Sequence, residues 1–239
     1  MKYRERTYRN KVSNNNLISF HVTVRETDLF IRSDKELSEV ALQSVYKYRA
    51  FIESYIKYHP DFLTSLKPIT DDELAPNIIR DMLERSSAAD VGPMAAVAGA
   101  IAEYVGNDLL NLSCNVIVEN GGDIFLKTEK DVKVGIFAGD SPLSYKLGLR
   151  LRSEQMPMGV CTSSGTVGHS LSFGKADAVC VLSKSSTMAD AAATAVGNLV
   201  KNKGDIKMAL ERGINIEGVS GIVIIVGEHC GAVGDVEIT

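Results

Sequence analysis

The stretch "NVIVENGGDIFLKT", Asn115–Thr128, holds two short runs of β-forming residues joined by Gly121-Gly122. Asn-Gly between apolar runs is the strongest local hairpin signal, because both turn positions favour a positive φ. A hairpin in the middle of the chain predicts a meander of antiparallel strands rather than a βαβ crossover. Downstream, "VKVGIFAG", "YKLGLRLR", "MGVCTSS" and "ADAVCVLS" are further short β-type runs separated by turn residues, with "SGIVIIVG" and "AVGDVEIT" closing the set. Upstream, "LISFHVTV" and "DLFIRS" alternate with period two around the polar "RET", which marks an opening hairpin. "SGIVIIVG" fits either a buried strand or an interface edge.

Helical spacing fills the gaps. "KELSEVALQSVYKYRAFIESYIKYH" keeps it up to Pro60, and "DELAPNIIRDMLERSSAAD" keeps it with an interruption at Pro76. "GPMAAVAGAIAEYVG" is a small-residue helix bounded by Gly92-Pro93 and Gly106, able to bring its backbone close to a neighbour. "STMADAAATAVGNLVKN" and "DIKMALERG", the latter closed by Gly213, complete the helices. The sequence predicts an α+β fold over 1–239, with mostly antiparallel sheet packed against helices, and neither a repeat nor a low-complexity linker divides it.

Composition narrows the function. The 239 residues carry 26 Lys and Arg against 30 Asp and Glu, a net charge of −4 spread along the chain. That leaves no basic stripe for nucleic acid. The start, "MKYRERTYRNKVSNNN", is polar and basic with no apolar region after it, and no run approaches the roughly 20 apolar residues of a membrane span, so a cytoplasmic protein is expected. Cys114, Cys161, Cys180 and Cys230 form no C-x-x-C pair and read as small buried hydrophobes.

Four constellations bear on chemistry. Glu119, Asn120 and Asp123 surround Gly121-Gly122, where a ligand could lie against the bare backbone or where a tight turn alone requires the glycines. Asp190 and Thr194 stand four apart on a helix, hence one turn apart on one face; two hard oxygens so placed suit magnesium beside a phosphate. Against this, Thr187-x-x-Asp190 also fits a capping box with no metal. Gly159–Asp177, "GVCTSSGTVGHSLSFGKAD", sets Thr162, Ser163, Ser164, Gly165 and Thr166 before His169, whose unperturbed pKa suits a general base. There is no G-x-S-x-G elbow and no acid to complete a triad. The helix after Gly92-Pro93 could present its N-terminus to a nucleotide or simply pack in the core.

Taken in order, the small-residue helix, "NVIVENGGDI", "GVCTSSG" with its histidine, and "ADAAATA" resemble the ApbE-type FAD:protein FMN transferases over about Gly92 to Asn198. The likeness is to the short, uncharacterised cytoplasmic relatives of ApbE. It implies an ApbE-like fold that binds FAD with magnesium and transfers FMN to a threonine or serine of an acceptor protein, releasing AMP. Asp190 and Thr194 match the metal pair of A-D-A-x-A-T. Gly121, Gly122 and Asp123, next to Asn120, match the flavin-nucleotide turn. Thr162, Ser163 and Gly165 resemble A-T-S-G with Ser164 as one extra serine, and His169 matches the catalytic histidine of H-x-x-D-P. Two departures stand out: Ser172 occupies the place of the family's aspartate, and Glu103 that of a lysine. They favour the alternatives, a non-catalytic small-ligand or nucleotide-binding protein of the same fold or an enzyme acting on another substrate. The partners expected under the transferase reading are a small-molecule nucleotide and an acceptor protein, with no nucleic acid and no membrane.

Overall fold

A computed structural model describes residues 17–165 and 173–239. Eight antiparallel strands form one sheet. β1 (Ile18–Val24) and β2 (Thr27–Ser33) form the opening hairpin, and β3 (Val116–Asn120) and β4 (Asp123–Lys127) the central one. β7 (Met158–Ser163), β8 (Ala178–Ser183), β9 (Val219–Val226) and β10 (His229–Gly234) continue it in the order β1-β2-β3-β4-β7-β8-β9-β10. β5 (Val132–Gly135) and β6 (Gly148–Leu151) make a separate two-stranded ribbon.

The helices leave and re-enter this sheet at two equivalent points. α1 (Ser38–Tyr58), α2 (Asp61–Thr64), α3 (Asn77–Ala88) and α4 (Val97–Leu110) lie between β2 and β3, while α5 (Ser186–Leu199) and α6 (Ile206–Gly213) lie between β8 and β9. Hairpin, helices, hairpin thus occurs twice, and the two units join edge to edge where β4 pairs with β7. The duplication is one of topology and had no counterpart in the sequence pattern.

Strand alternation sorts the core into layers. Leu29, Ile31, Val116, Val118 and Phe125 pack beneath α1, α3 and α4. Cys161, Val179, Val181, Ile222 and Ile224 pack beneath α5 and α6 on the same face. Ile117, Ile124, Leu126, Val160, Leu182 and Ile225 point the other way, against Val132, Val134, Leu149 and Leu151 of the β5–β6 ribbon. "SGIVIIVG" is therefore an interior strand, paired on both sides.

Several expectations need correction. α3 begins only after Pro76, since a proline at its N-cap leaves the residues before it outside the helix. Gly106 does not end α4; it lies within the helix because a Cβ there would stand 2.1 Å from the Phe125 ring, so contact with β4 selects glycine. "AVGDVEIT" is divided: the last strand of the sheet, His229–Gly234, starts after a reversal at Gly227 (φ 59°) and ends at Gly234 (φ 83°), and the residues beyond it pair with β6 through Gly148 and Arg150. Cys161 and Cys180 are buried as expected, but Cys114 and Cys230 are exposed. No described helix is long and apolar enough to cross a membrane.

Candidate functional site

The β3–β4 turn is a two-residue hairpin with φ 69° at Gly121 and 112° at Gly122, so the turn itself requires both glycines. It also places Asn120 and Asp123 at the inner end of the turn. Asn120 Nδ2 donates to the Ala98 carbonyl at the start of α4 (3.1 Å). Asp123 Oδ1 accepts from Thr162 N–H at the end of β7 (3.3 Å), which ties the two topological units together. Gly122 lies nearest the Thr162 carbonyl, so the hairpin tip sits beside Thr162.

The helices complete the site from above. Asp190 Oδ2 on α5 accepts from Gly99 N–H on α4 (2.9 Å), and a Cβ at Gly99 would come within 2.2 Å of the Ser186 carbonyl and 2.8 Å of Asp190 Cβ. Only glycine admits this approach. The anion at the amino-terminal end of α4 is thus Asp190 itself, held by a free N–H and the helix dipole.

α4 returns the favour to α5. Glu103 Oε2 accepts from Ser185 Oγ (2.8 Å), Thr187 N–H (2.9 Å) and Thr187 Oγ1 (2.9 Å), while Ser185, the N-cap, accepts from Met188 N–H (3.3 Å). The Thr187-x-x-Asp190 capping box is therefore not formed. Two helices each lend a carboxylate to the other's N-terminus, and Asp190 is not spent on capping its own helix. Glu103, which replaces a lysine in the resemblance, is consumed in this clasp and adds no free anion. Glu103→Lys would set a cation against the positive end of α5 and strand three donors; a loss of about 3 kcal/mol is expected, or roughly 6–12 °C in Tm for a chain of this size, read by thermal denaturation. Glu103→Gln keeps an acceptor and should lose less than half of that.

The electrostatics of the seam are unusual for a turn. Burial pushes the Asp123 carboxyl up to about 7, with the Glu119 charge adding to it, although the Cys161 thiol and Thr162 N–H pull the other way. Burial also holds Asp190 well above the usual carboxylate range, and the charge of Asp123 adds to that, against the backbone N–H groups of Gly99 and Ala98. Two carboxyls that resist ionisation beside one another mark a site built for a positive partner or a shared proton.

The structure brings Asn120, Gly121, Gly122, Asp123 and Thr162 to one seam with Asp190. Thr194 follows one turn further along α5, half-buried. Ser163 ends β7, and Ser164 and Gly165 follow it. Gly165 N–H donates to the Ala176 carbonyl (2.9 Å), and its missing Cβ makes room for the Gly174 carbonyl. Thr166, His169 and Ser172 lie outside the described residues. Sequence reading missed Gly99 and Ala98 as parts of the site, their only trace being the small-residue character of their helix, and singled out Glu103 only as a departure from a lysine. A cation fits the donor set: Asp190 and Asp123 offer hard oxygens, although the described residues hold no cluster of three or more His, Cys, Asp or Glu able to bind a metal.

Two hairpin–helix–hairpin units with a carboxylate seam define an ApbE-like protein. The fold is that of the flavinyl transferase ApbE of Pseudomonas stutzeri in its apo form, with TM-score 0.58 and 13% identity, covering 91% of this chain and 94% of that one. It is also that of the ApbE protein of Thermotoga maritima, with TM-score 0.54 and 13% identity over 90% and 96% of the two chains. A family model described as "AbpE bacteria" matches residues 9–234, and the chain belongs to that family. A UPF0280 protein of Methanococcus aeolicus is 42% identical over 226 residues, 92% of this chain and 91% of that protein. Another, of Methanocaldococcus jannaschii, is 43% identical over 222 residues, 90% of each.

Proposed function

We propose that the protein binds FAD with magnesium at the α4–α5 seam and transfers FMN to a threonine or serine of an acceptor protein. The observation that carries this reading is the hydrogen-bonded seam in which Asn120, beside the glycine turn, donates to the Ala98 carbonyl and the next residue, Gly99, donates to Asp190, within an ApbE-like fold. Asp190 and Thr194 would hold the metal, which when bound neutralises a pyrophosphate and so eases attack on its phosphorus. Asn120 and Gly121-Gly122 shape the turn against which the nucleotide lies, and Thr162, Ser163, Ser164 and Gly165 wall the cleft on the β7 side. The acceptor hydroxyl forms a bond to the FMN phosphorus, the bond from that phosphorus to the bridging oxygen breaks, and AMP leaves with that oxygen. His169 takes the hydroxyl proton.

Ser172, where the transferase pattern has aspartate, favours a second reading: a protein of the same fold that binds the nucleotide without turning it over. One experiment separates the two. Purified protein is incubated with FAD, magnesium and a threonine-containing peptide, and AMP release and covalent flavin on the peptide are followed. Transfer predicts both, with at least a hundredfold loss in Asp190→Ala. Bound flavin without AMP would leave the second reading, and no flavin binding would defeat both.

A further inference from the structure

Six large apolar side chains of α1, α2 and the loop after them are exposed. Tyr46 and Phe51 on α1, Tyr58 at its end, Leu63 on α2, and Leu66 and Leu74 on the following loop are 39–97% exposed. Monomeric surfaces seldom concentrate such residues unless they meet a partner. Within the patch, a groove of about 300 Å³ is lined by Phe51, Ser54, Tyr55, Tyr58, His59 and Pro76. Leu74 stands two residues from the groove-lining Pro76 and is 97% exposed. The leucine is also held ready: its N–H donates to Asp72 Oδ1 (3.0 Å), and Asp72 Oδ2 accepts from Tyr55 OH in the groove wall (3.0 Å).

We propose that this face joins two copies of the chain about a two-fold axis, each Leu74 entering the groove of the other. A groove and an apolar knob side by side supply both halves of an isologous contact, in which the same patch of two copies is self-complementary. The volume suffices, since an apolar cavity of about 150 Å³ already takes up a benzene ring. Charge agrees with shape. Leu74 is preceded by Asp71, Asp72 and Glu73, whereas the groove-lining Tyr58 is preceded by Lys57. Among the described residues neither Glu73 nor Lys57 forms an ion pair, so the exchange that seats Leu74 brings Glu73 of each copy toward Lys57 of the other. The fixed loop lowers the ordering cost of docking.

Sedimentation velocity across a concentration series tests this on the full chain. The wild type should sediment as a dimer, and Leu74→Asp should raise the dimer dissociation constant at least about tenfold, as expected for a central apolar anchor. Because Leu74 touches little of its own chain, circular dichroism of that variant should match the wild type. Glu73→Lys and Lys57→Glu should each weaken the dimer, and the double variant should recover it. A monomeric wild type, a Leu74→Asp protein that remains dimeric, or a double variant no better than either single one would overturn the proposal.

Discussion

Asp190→Asn is expected to abolish the magnesium response of this protein while leaving the metal-free form at least as stable as the wild type at neutral pH. The amide keeps an oxygen for Gly99 N–H but removes a charge that burial and Asp123 both oppose. Stability and function pull in opposite directions at such a residue, as at other sites where charge is held ready for a ligand. Asp123 adds a pH dependence of defined sign. Its carboxyl is raised in the folded state to about 7, so the native protein binds a proton that the unfolded chain gives up near the ordinary carboxylate value. The contribution is whole at acid pH and is lost as pH climbs through the interval from about 4 to 7. Relative to Asp123→Asn, the metal-free wild type should therefore lose up to about 2–4 kcal/mol across that interval, the lower figure allowing for the partial exposure of the group. Magnesium should restore most of the loss in the wild type and none of it in Asp190→Asn. Denaturant titrations at stepped pH, with and without magnesium, give both differences.

Gly99→Ala is expected to damage the α4–α5 contact severely. Its Cβ would lie 2.2 Å from a backbone oxygen, Ser186 O, and 2.8 Å from Asp190 Cβ, so neither neighbour is a flexible side-chain end able to swing aside. α4 and α5 must separate, and the Gly99–Asp190 hydrogen bond goes with them. Overpacking of this kind costs about 3 kcal/mol or more, or roughly 6–12 °C in Tm at this chain length. Gly121→Ala is the control. It meets nothing within 4 Å and is strained only by its positive φ, so it should cost about 1–2 kcal/mol. Equal losses at the two positions would contradict the close approach of the helices.

What the sequence made legible was what short segments determine for themselves. The Gly121-Gly122 hairpin, α1 up to Pro60 and α5 follow from turn chemistry and apolar spacing within a few residues. The join of β4 to β7 and the doubled hairpin–helix–hairpin plan depend on which edges meet, which no local pattern encodes. The site divides in the same way. Asp190 and Thr194 announce themselves by spacing, but the partners of Asp190 and Thr187 lie 91 and 84 residues away on α4. The local capping pattern around Thr187 was misleading because Glu103 supplies the acceptor that it would have provided. Gly106 was misread as a terminus for a similar reason, since its need for glycine comes from Phe125 on another element.

Calorimetric titration of FAD into the wild type and Asp190→Asn, each with magnesium and with a chelator, isolates the seam as a metal-assisted nucleotide site. The wild type should bind FAD at least about tenfold more tightly with magnesium, a difference of about 1.4 kcal/mol, and Asp190→Asn should show the weaker affinity under both conditions. Equal affinity with magnesium and with the chelator in the wild type, or a full magnesium effect in Asp190→Asn, would contradict it.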